Sequence, residues 1–314
     1  MATLGYREWN GIFPAALTIF DDAGRIDEDA TATHLDRLIT EGAHGLVVAG
    51  TSGEFILLDD AERRRVIELA VQTSGGRVPV IAGTGYASTD ATIAMTEHAA
   101  KSGADAAIVI LPYYLRPTEQ EVLQHFIDVG RASPIPIIVY NNPANSAAPE
   151  LSVPQLHDLY EQGLIAGVKS TFPTVHQIHE LKAEIDAPFR AFYGSFVAPM
   201  EAMAGGADGW ISGILNVVTP HAVSMWHAIQ RGDLVGARRI WRDILPIKQL
   251  YSRRVVGSVS DLALYRAILN LRGAVGGSSR RPIQDLDAAQ LDQLRAYLGG
   301  TILGPVAQPA SRRR

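Results

Sequence analysis

The chain has 314 residues, 47% of them hydrophobic and 19% charged, and a formal net charge of −5. That is enough apolar material for a large core and too little charge for disorder, and the acidic balance gives no global attraction to nucleic acid or an anionic membrane. There is no cysteine, which excludes disulfides, thiolate nucleophiles and cysteine-based metal sites.

The first ten residues, MATLGYREWN, carry no basic segment followed by an apolar core, so no signal peptide is expected. No apolar run reaches the roughly 20 residues that span a bilayer. The expectation is a soluble, cytoplasmic protein with no membrane partner, and a disordered basic tail at SRRR, 311–314.

Along the chain, short β-branched or apolar runs alternate with amphipathic helical stretches, a pattern that predicts parallel strands joined by helices. The strands read as Ile12–Thr18, Gly45–Ala49, Val78–Ala82, Ala106–Ile110, Pro136–Tyr140, Ile165–Lys169, Ala191–Tyr193 and Gly209–Ser212. Between them, stretches such as DEDATATHLDRLITEG and STDATIAMTEHAAKSGA open on Asp, Ser or Thr and close near Gly, as helix ends prefer. Most strand ends recur after roughly 30 residues, the length of one βα unit. Eight such units predict a (β/α)8 TIM barrel over 1–231. A doubly wound sheet would want a Gly-rich turn after its first strand, where the chain reads ALTIFDDAG. Beyond the eighth barrel helix only helical patterns follow, which predicts a C-terminal helical extension over 232–314, packed on the barrel.

Active groups of such a barrel come from the C-terminal strand ends and the loops after them. Those ends read AGTSGEF, AGTGYAS, LPYYLRP, VYNNPAN, GVKS and YGSF for strands two to seven. They bring Thr51, Ser52, Tyr113, Tyr114, Tyr140 and Lys169 to one face. A lysine in an apolar barrel mouth has its charged form disfavoured by desolvation. A neutral amine attacks a ketone to give a carbinolamine and then a protonated Schiff base, which lets a neighbouring bond break to an enamine. Tyr140, on the adjacent strand, is the natural proton carrier, and Thr51 and Tyr114 can extend a hydroxyl relay. The turn Thr51–Ser52–Gly53 offers backbone N–H groups and hydroxyls suited to a carboxylate.

Blander readings apply to other features. Glu54 reads as a structural acceptor, the nine histidines lack metal-ligand spacing, and LDDAERRR reads as a solvated helix face. No motif for a nucleotide or pyridoxal cofactor is present, so neither a cofactor nor a metal is expected. A non-catalytic barrel that binds small acids is the competing class, and the Lys169–Tyr140 pair argues against it.

GTSGEF, GTGYAS, PYYLRP, VYNNP and GVKS, in this order and spacing, resemble the dihydrodipicolinate synthase / N-acetylneuraminate lyase family from about residue 11 through the C-terminal helices. The resemblance implies a class I aldolase-type lyase with a helical extension, usually a homotetramer built as a dimer of dimers. It makes Lys169 the Schiff-base lysine for pyruvate or another 2-oxo acid, and Tyr140 the acid/base beside it. Thr51 and Tyr114 complete the relay, the tyrosine crossing a dimer interface in relatives. Ser52 matches the carboxylate-holding position, Gly53 shares its turn, and Gly194 and Ile211 match pocket positions. Where a true dihydrodipicolinate synthase carries an arginine for its aldehyde substrate's carboxylate, this chain has Asn145, which supplies no charge. PANS is closer to 4-hydroxy-2-oxoglutarate aldolases, TIF replaces TPF in strand one, and YGSF replaces a GDD-like stretch. These departures leave open a dehydratase or deaminase of 2-keto-3-deoxy sugar acids, or a genuine 4-hydroxy-tetrahydrodipicolinate synthase. Phe55, Ile56, Ala87 and Ala91 stand where feedback-inhibited relatives place polar lysine-binding groups, so no inhibition by lysine is expected.

Overall fold

The computed structural model describes residues 8–185 and 188–304. Most of the N-terminal stretch and the tail at 311–314 lie outside the described residues. The strands are β1 Gly11–Pro14, β2 Leu46–Val48, β3 Val80–Gly83, β4 Ala106–Ile110, β5 Ile137–Asn141, β6 Gly167–Ser170, β7 Arg190–Tyr193 and β8 Gly209–Ser212. All neighbours pair in parallel, β1 lies against β8, and the order runs β1-β8-β7-β6-β5-β4-β3-β2. The circle closes between β1 and β2 through a bridge between Ala15 and Val47 and a bond from Ala16 N–H to Val47 O of 2.8 Å. This is the expected TIM barrel.

The helices between strands are α1 Glu28–Thr40, α2 Asp60–Ser74, α3 Thr89–Ser102, α4 Glu119–Ala132, α5 Val153–Glu161, α6 His176–Glu184, α7 Pro199–Ala204 and α8 Leu215–Gln230. Their ends follow local chemistry. Asp59 caps α2 and Glu62 reaches back to the Asp59 N–H, a reciprocal box, while Gly75 ends the helix at φ 55°. Thr118 and Glu121 repeat the box on α4. Each such cap contributes about 0.5–2 kcal/mol and fixes where a strand-to-helix loop must stop.

Strand residues alternate between two cores. Phe13, Val47, Ile81, Ile108, Ile138, Phe192 and Ile211 point into the barrel, and Val109, Val139, Val168, Ala191 and Trp210 point out to the helices. Fully burying one such side chain contributes about 1.5–3 kcal/mol, so the period-two pattern pins each strand's register. Lys169 and Tyr140 occupy inward positions of this alternation.

The first strand is shorter than the expected Ile12–Thr18. Past Ala16, side chains from distant elements take backbone donors: Asn216 Oδ1 accepts from Leu17 N–H at 3.1 Å and Thr31 Oγ1 from Ile19 N–H at 3.1 Å. Three helices, α9 Leu234–Ser252, α10 Asp261–Leu271 and α11 Ala288–Leu298, follow the barrel. Trp241 on α9 meets Trp210 of β8 edge-to-face at 6.4 Å, seating the extension on the barrel. No helix among the described residues is long and apolar enough to cross a membrane.

Candidate active site

In the β5–β6 ladder Tyr140 and Lys169 are register partners. Side chains at paired positions of parallel strands project to the same face, here the barrel interior, and both are buried at 8% and 6% exposure. The Lys169 Nζ lies 3.7 Å from the centre of the Tyr140 ring, a cation–π contact. The Lys169 amine therefore sits over a phenol at the C-terminal end of the barrel.

The phenol oxygen accepts a 2.9 Å hydrogen bond from Asn142 Nδ2. Burial alone would raise the Tyr140 pKa; the Lys169 ammonium and then the Asn142 bond outweigh it, and the phenol is held below its ordinary value. Thr51 Oγ1 stands close enough to add to that lowering, but it is buried outside direct hydrogen-bond geometry. A hydroxyl whose anion is favoured in this way can both take and return a proton.

Gly194 follows β7 beside the lysine. A Cβ there would fall 1.9 Å from Thr171 Oγ1 and 2.9 Å from Lys169 Cε. The missing side chain is what lets the lysine stem lie flat in the mouth. Around the turn after β2, Glu54 N–H and Phe55 N–H bond back to Thr51 O and Gly50 O, leaving the Ser52 and Gly53 N–H groups without an acceptor among the described residues. The Gly53 carbonyl is held by Thr18 Oγ1 at 2.8 Å. Two free N–H groups beside the Ser52 hydroxyl make a small anion-accepting edge.

Glu54 shapes that turn. It is buried in the left-handed region at φ 57°, an unfavourable conformation for a glutamate, and pairs with the buried Arg266 guanidinium of α10. Arg266 also donates to Thr18 O at 2.8 Å and Gly276 O at 2.9 Å. Desolvation raises the Glu54 pKa and Arg266 partly offsets it. Glu54 is thus a structural acceptor, in line with the reading of the sequence.

Tyr114 and Asn145 lie at the surface, whereas Ile211 lies in the interior core that also holds Tyr140. Tyr114 is 91% exposed at φ 74°. Asn145 is exposed at the end of a short 3-10 turn, Pro143–Asn145. Ile211 is fully buried in the interior core with Phe13 and Phe192.

Sequence reasoning passed over two residues. Asn142 stands in the strand-end stretch VYNNPAN and takes no role in the sequence reading, although an amide two residues past an inward tyrosine can reach its hydroxyl. Arg63, taken with LDDAERRR as a solvated helix face, is instead 1% exposed. It donates to Gly83 O at 2.6 and 3.1 Å and to Gly85 O at 3.1 Å, between the Phe55 and Tyr86 rings at 4.6 and 4.4 Å. Carbonyls and ring faces, not carboxylates, satisfy this cation, which is why charge spacing gave no hint of it. A narrow cavity of about 20 Å³ lies among Arg63, Thr51 and Tyr140.

The model of the dihydrodipicolinate synthetase family matches residues 8–300. The chain belongs to that family. It is 36% identical over 241 residues to a 4-hydroxy-tetrahydrodipicolinate synthase of Bradyrhizobium diazoefficiens, covering 76% of this chain and 80% of the relative. An uncharacterized DapA-like lyase of Halobacterium salinarum is 34% identical over 290 residues, covering 92% and 93% of the two chains. Among solved structures, YagE of E. coli K12, a family member in complex with pyruvate, superposes with a TM-score of 0.85 at 28% identity, covering 93% of this chain and 98% of that one. As a member of the dihydrodipicolinate synthetase family, the chain is a lyase of the Schiff-base, class I aldolase type. The family fold accounts for the barrel and for the helices after it.

Proposed function

We propose that the chain is a carbon–carbon lyase for pyruvate or a related 2-oxo acid, with Lys169 as the Schiff-base residue. The observation that carries this is the Lys169 Nζ over the Tyr140 ring at 3.7 Å, on paired strand positions. The amine attacks the substrate's ketone carbon, water leaves, and a protonated imine forms. In a 4-hydroxy-2-oxo acid the C3–C4 bond then breaks, its electrons pass to the iminium to give an enamine, and the C4 hydroxyl proton goes to a base as the aldehyde leaves. Protonation at C3 and hydrolysis regenerate the amine. Tyr140 carries protons in both halves, Thr51 relays them, and Ser52 and Gly53 hold the carboxylate. Gly194 leaves room for the lysine, Ile211 backs the pocket, and Asn145 stands at its outer rim.

Tyr114 belongs to this relay when a second copy of the chain supplies it. Its exposure, together with that of Ile56 at 66% and Leu115 at 67%, supports an interface after β2 and β4. A homotetramer built as a dimer of dimers is the assembly we propose, in the cytoplasm, with the barrel and extension meeting near residue 231.

A second reading keeps the same lysine chemistry but expels a β-substituent from the enamine, as a dehydratase or deaminase of a 2-keto-3-deoxy sugar acid. The uncharged Asn145 favours it over the synthase reaction, because a second carboxylate finds no guanidinium at that position. Incubation with pyruvate and borohydride, followed by peptide mass mapping, is expected to place the adduct on Lys169. An adduct on another lysine, or none with any 2-oxo acid, refutes the assignment. A coupled assay with pyruvate and aspartate semialdehyde should show little turnover; efficiency within the usual range of about 10⁴–10⁸ M⁻¹s⁻¹ would restore the synthase reading.

A further inference from the structure

Tyr265 stands on α10, in the extension, yet its ring reaches the end of β8. A Cβ added at Gly213, the residue after that strand, would lie 2.6 Å from Ser52 Oγ and 3.2 Å from Tyr265 Cε2. The Ser52 hydroxyl and the Tyr265 ring edge therefore converge on the same small space. Only a residue without a side chain leaves room for both.

Tyr265 is 6% exposed, and its hydroxyl forms no hydrogen bond with another described residue. That oxygen is also absent from the fully enclosed, unpartnered polar atoms, so it borders accessible space. Burial raises the phenol well above its ordinary value, with Asp261, one helical turn earlier, and Tyr251 adding to the effect. It stays an O–H donor at any physiological pH. A donor that borders accessible space is open to water, and a ligand's acceptor can take that water's place.

We propose that Tyr265 is a specificity-determining residue of the same site, its phenol donating a hydrogen bond to the carboxylate of the 2-oxo acid beside Ser52. This rests on the Schiff-base reading above. The free N–H groups of Ser52 and Gly53 and the Ser52 hydroxyl approach the acid group from the β2 side; Tyr265 completes its shell from the β8 side. A neutral donor suits an anion that must lie near Lys169, because it adds no second cation to compete with the amine. The extension is then part of the substrate pocket rather than an outer support.

The test titrates pyruvate against borohydride trapping, read by intact mass, for the wild type, Tyr265→Phe and Tyr265→Leu. A hydrogen bond to a charged acceptor is worth about tenfold to hundredfold in binding. Tyr265→Phe is expected to raise the half-saturating pyruvate concentration by about tenfold or more and to leave the trapped fraction at saturation at the wild-type level. Tyr265→Leu, which also lacks the hydroxyl, should shift at least as far. Methyl pyruvate, which has no anionic carboxylate, should shift distinctly less in both variants. A Phe variant that titrates like the wild type, or equal shifts for pyruvate and its ester, overturns the role of Tyr265 while Lys169 chemistry stands. A wild type that traps no 2-oxo acid overturns the Schiff-base reading, and this assignment with it.

Discussion

The Lys169 amine and the Tyr140 ring face one another at 3.7 Å from positions paired across the β5–β6 ladder. The contact uses the ring face, whereas the proposed proton transfer would use the hydroxyl. Tyr140→Phe separates the two. Its turnover is expected to fall about 10²–10⁴-fold, while urea unfolding shows a stability change on the order of 1 kcal/mol. Wild-type turnover in the variant would rule out a proton-carrying phenol.

Asn142 is expected to act through that phenol. Losing the 2.9 Å donor in Asn142→Ala removes one of the groups that lower the Tyr140 pKa. The limb of the pH–rate profile that belongs to the phenol should move to higher pH, and the loss in turnover should be smaller than for Tyr140→Phe. An unmoved limb would make Asn142 merely structural.

Gly194→Ala is expected to abolish or strongly slow adduct formation without unfolding the barrel. The added methyl meets Thr171 Oγ1 at 1.9 Å and Lys169 Cε at 2.9 Å, so the flexible lysine stem has to move. Circular dichroism checks the fold and borohydride trapping the site. Trapping at the wild-type rate would show that the lysine has another productive path.

His34 sets a pH dependence of stability. Buried against Asn216 Oδ1 at 2.8 Å, its pKa falls from 6.5 to about 3, chiefly through desolvation and then the Arg37 charge. The folded state keeps it neutral where the unfolded state takes up a proton, so its contribution is complete above about pH 6.5 and is lost as pH falls toward 3. The slope is about 1.4 kcal/mol per pH unit for one proton. In urea unfolding between pH 7 and 5, His34→Gln should lack this component of the slope. Parallel wild-type and variant curves would assign it elsewhere.

Lysine is not expected to inhibit. Phe55 and Tyr86 stack on Arg63 in the region after β2 and β3, so a cationic amino acid would meet apolar surface and a like charge. Calorimetry with millimolar lysine should give no saturable heat. Saturable binding away from Lys169, matched by inhibition, would return lysine control.

The eight strands were legible as short continuous apolar runs between helical stretches, and the Lys169–Tyr140 pair as polar residues that end two neighbouring runs. What escaped was set by long-range partners. Strand one ends early because Asn216, about two hundred residues away in sequence, captures the Leu17 N–H. Arg63 reads as a surface charge because nothing nearby in sequence shows two aromatic rings and two glycine carbonyls closing on it. Tyr265 lies on a helix whose apolar spacing predicts core, and only the gap left by Gly213 brings it to the mouth.

The Glu54–Arg266 pair has a bearing on the order in which the molecule can be completed. The two residues are 212 positions apart, and the glutamate holds a left-handed backbone in the turn that carries Ser52. During synthesis the barrel strands leave the ribosome first, with that turn lacking the cation that fixes it. An unpaired buried carboxylate is costly, so the turn stays unsettled until α10 emerges. A nascent enzyme stalled before Asp261 should therefore have all eight strands and no competent carboxylate edge, which pulse-labelled trapping with pyruvate on arrested chains can measure. On that reading, activity is expected only with the last helices, not with the barrel.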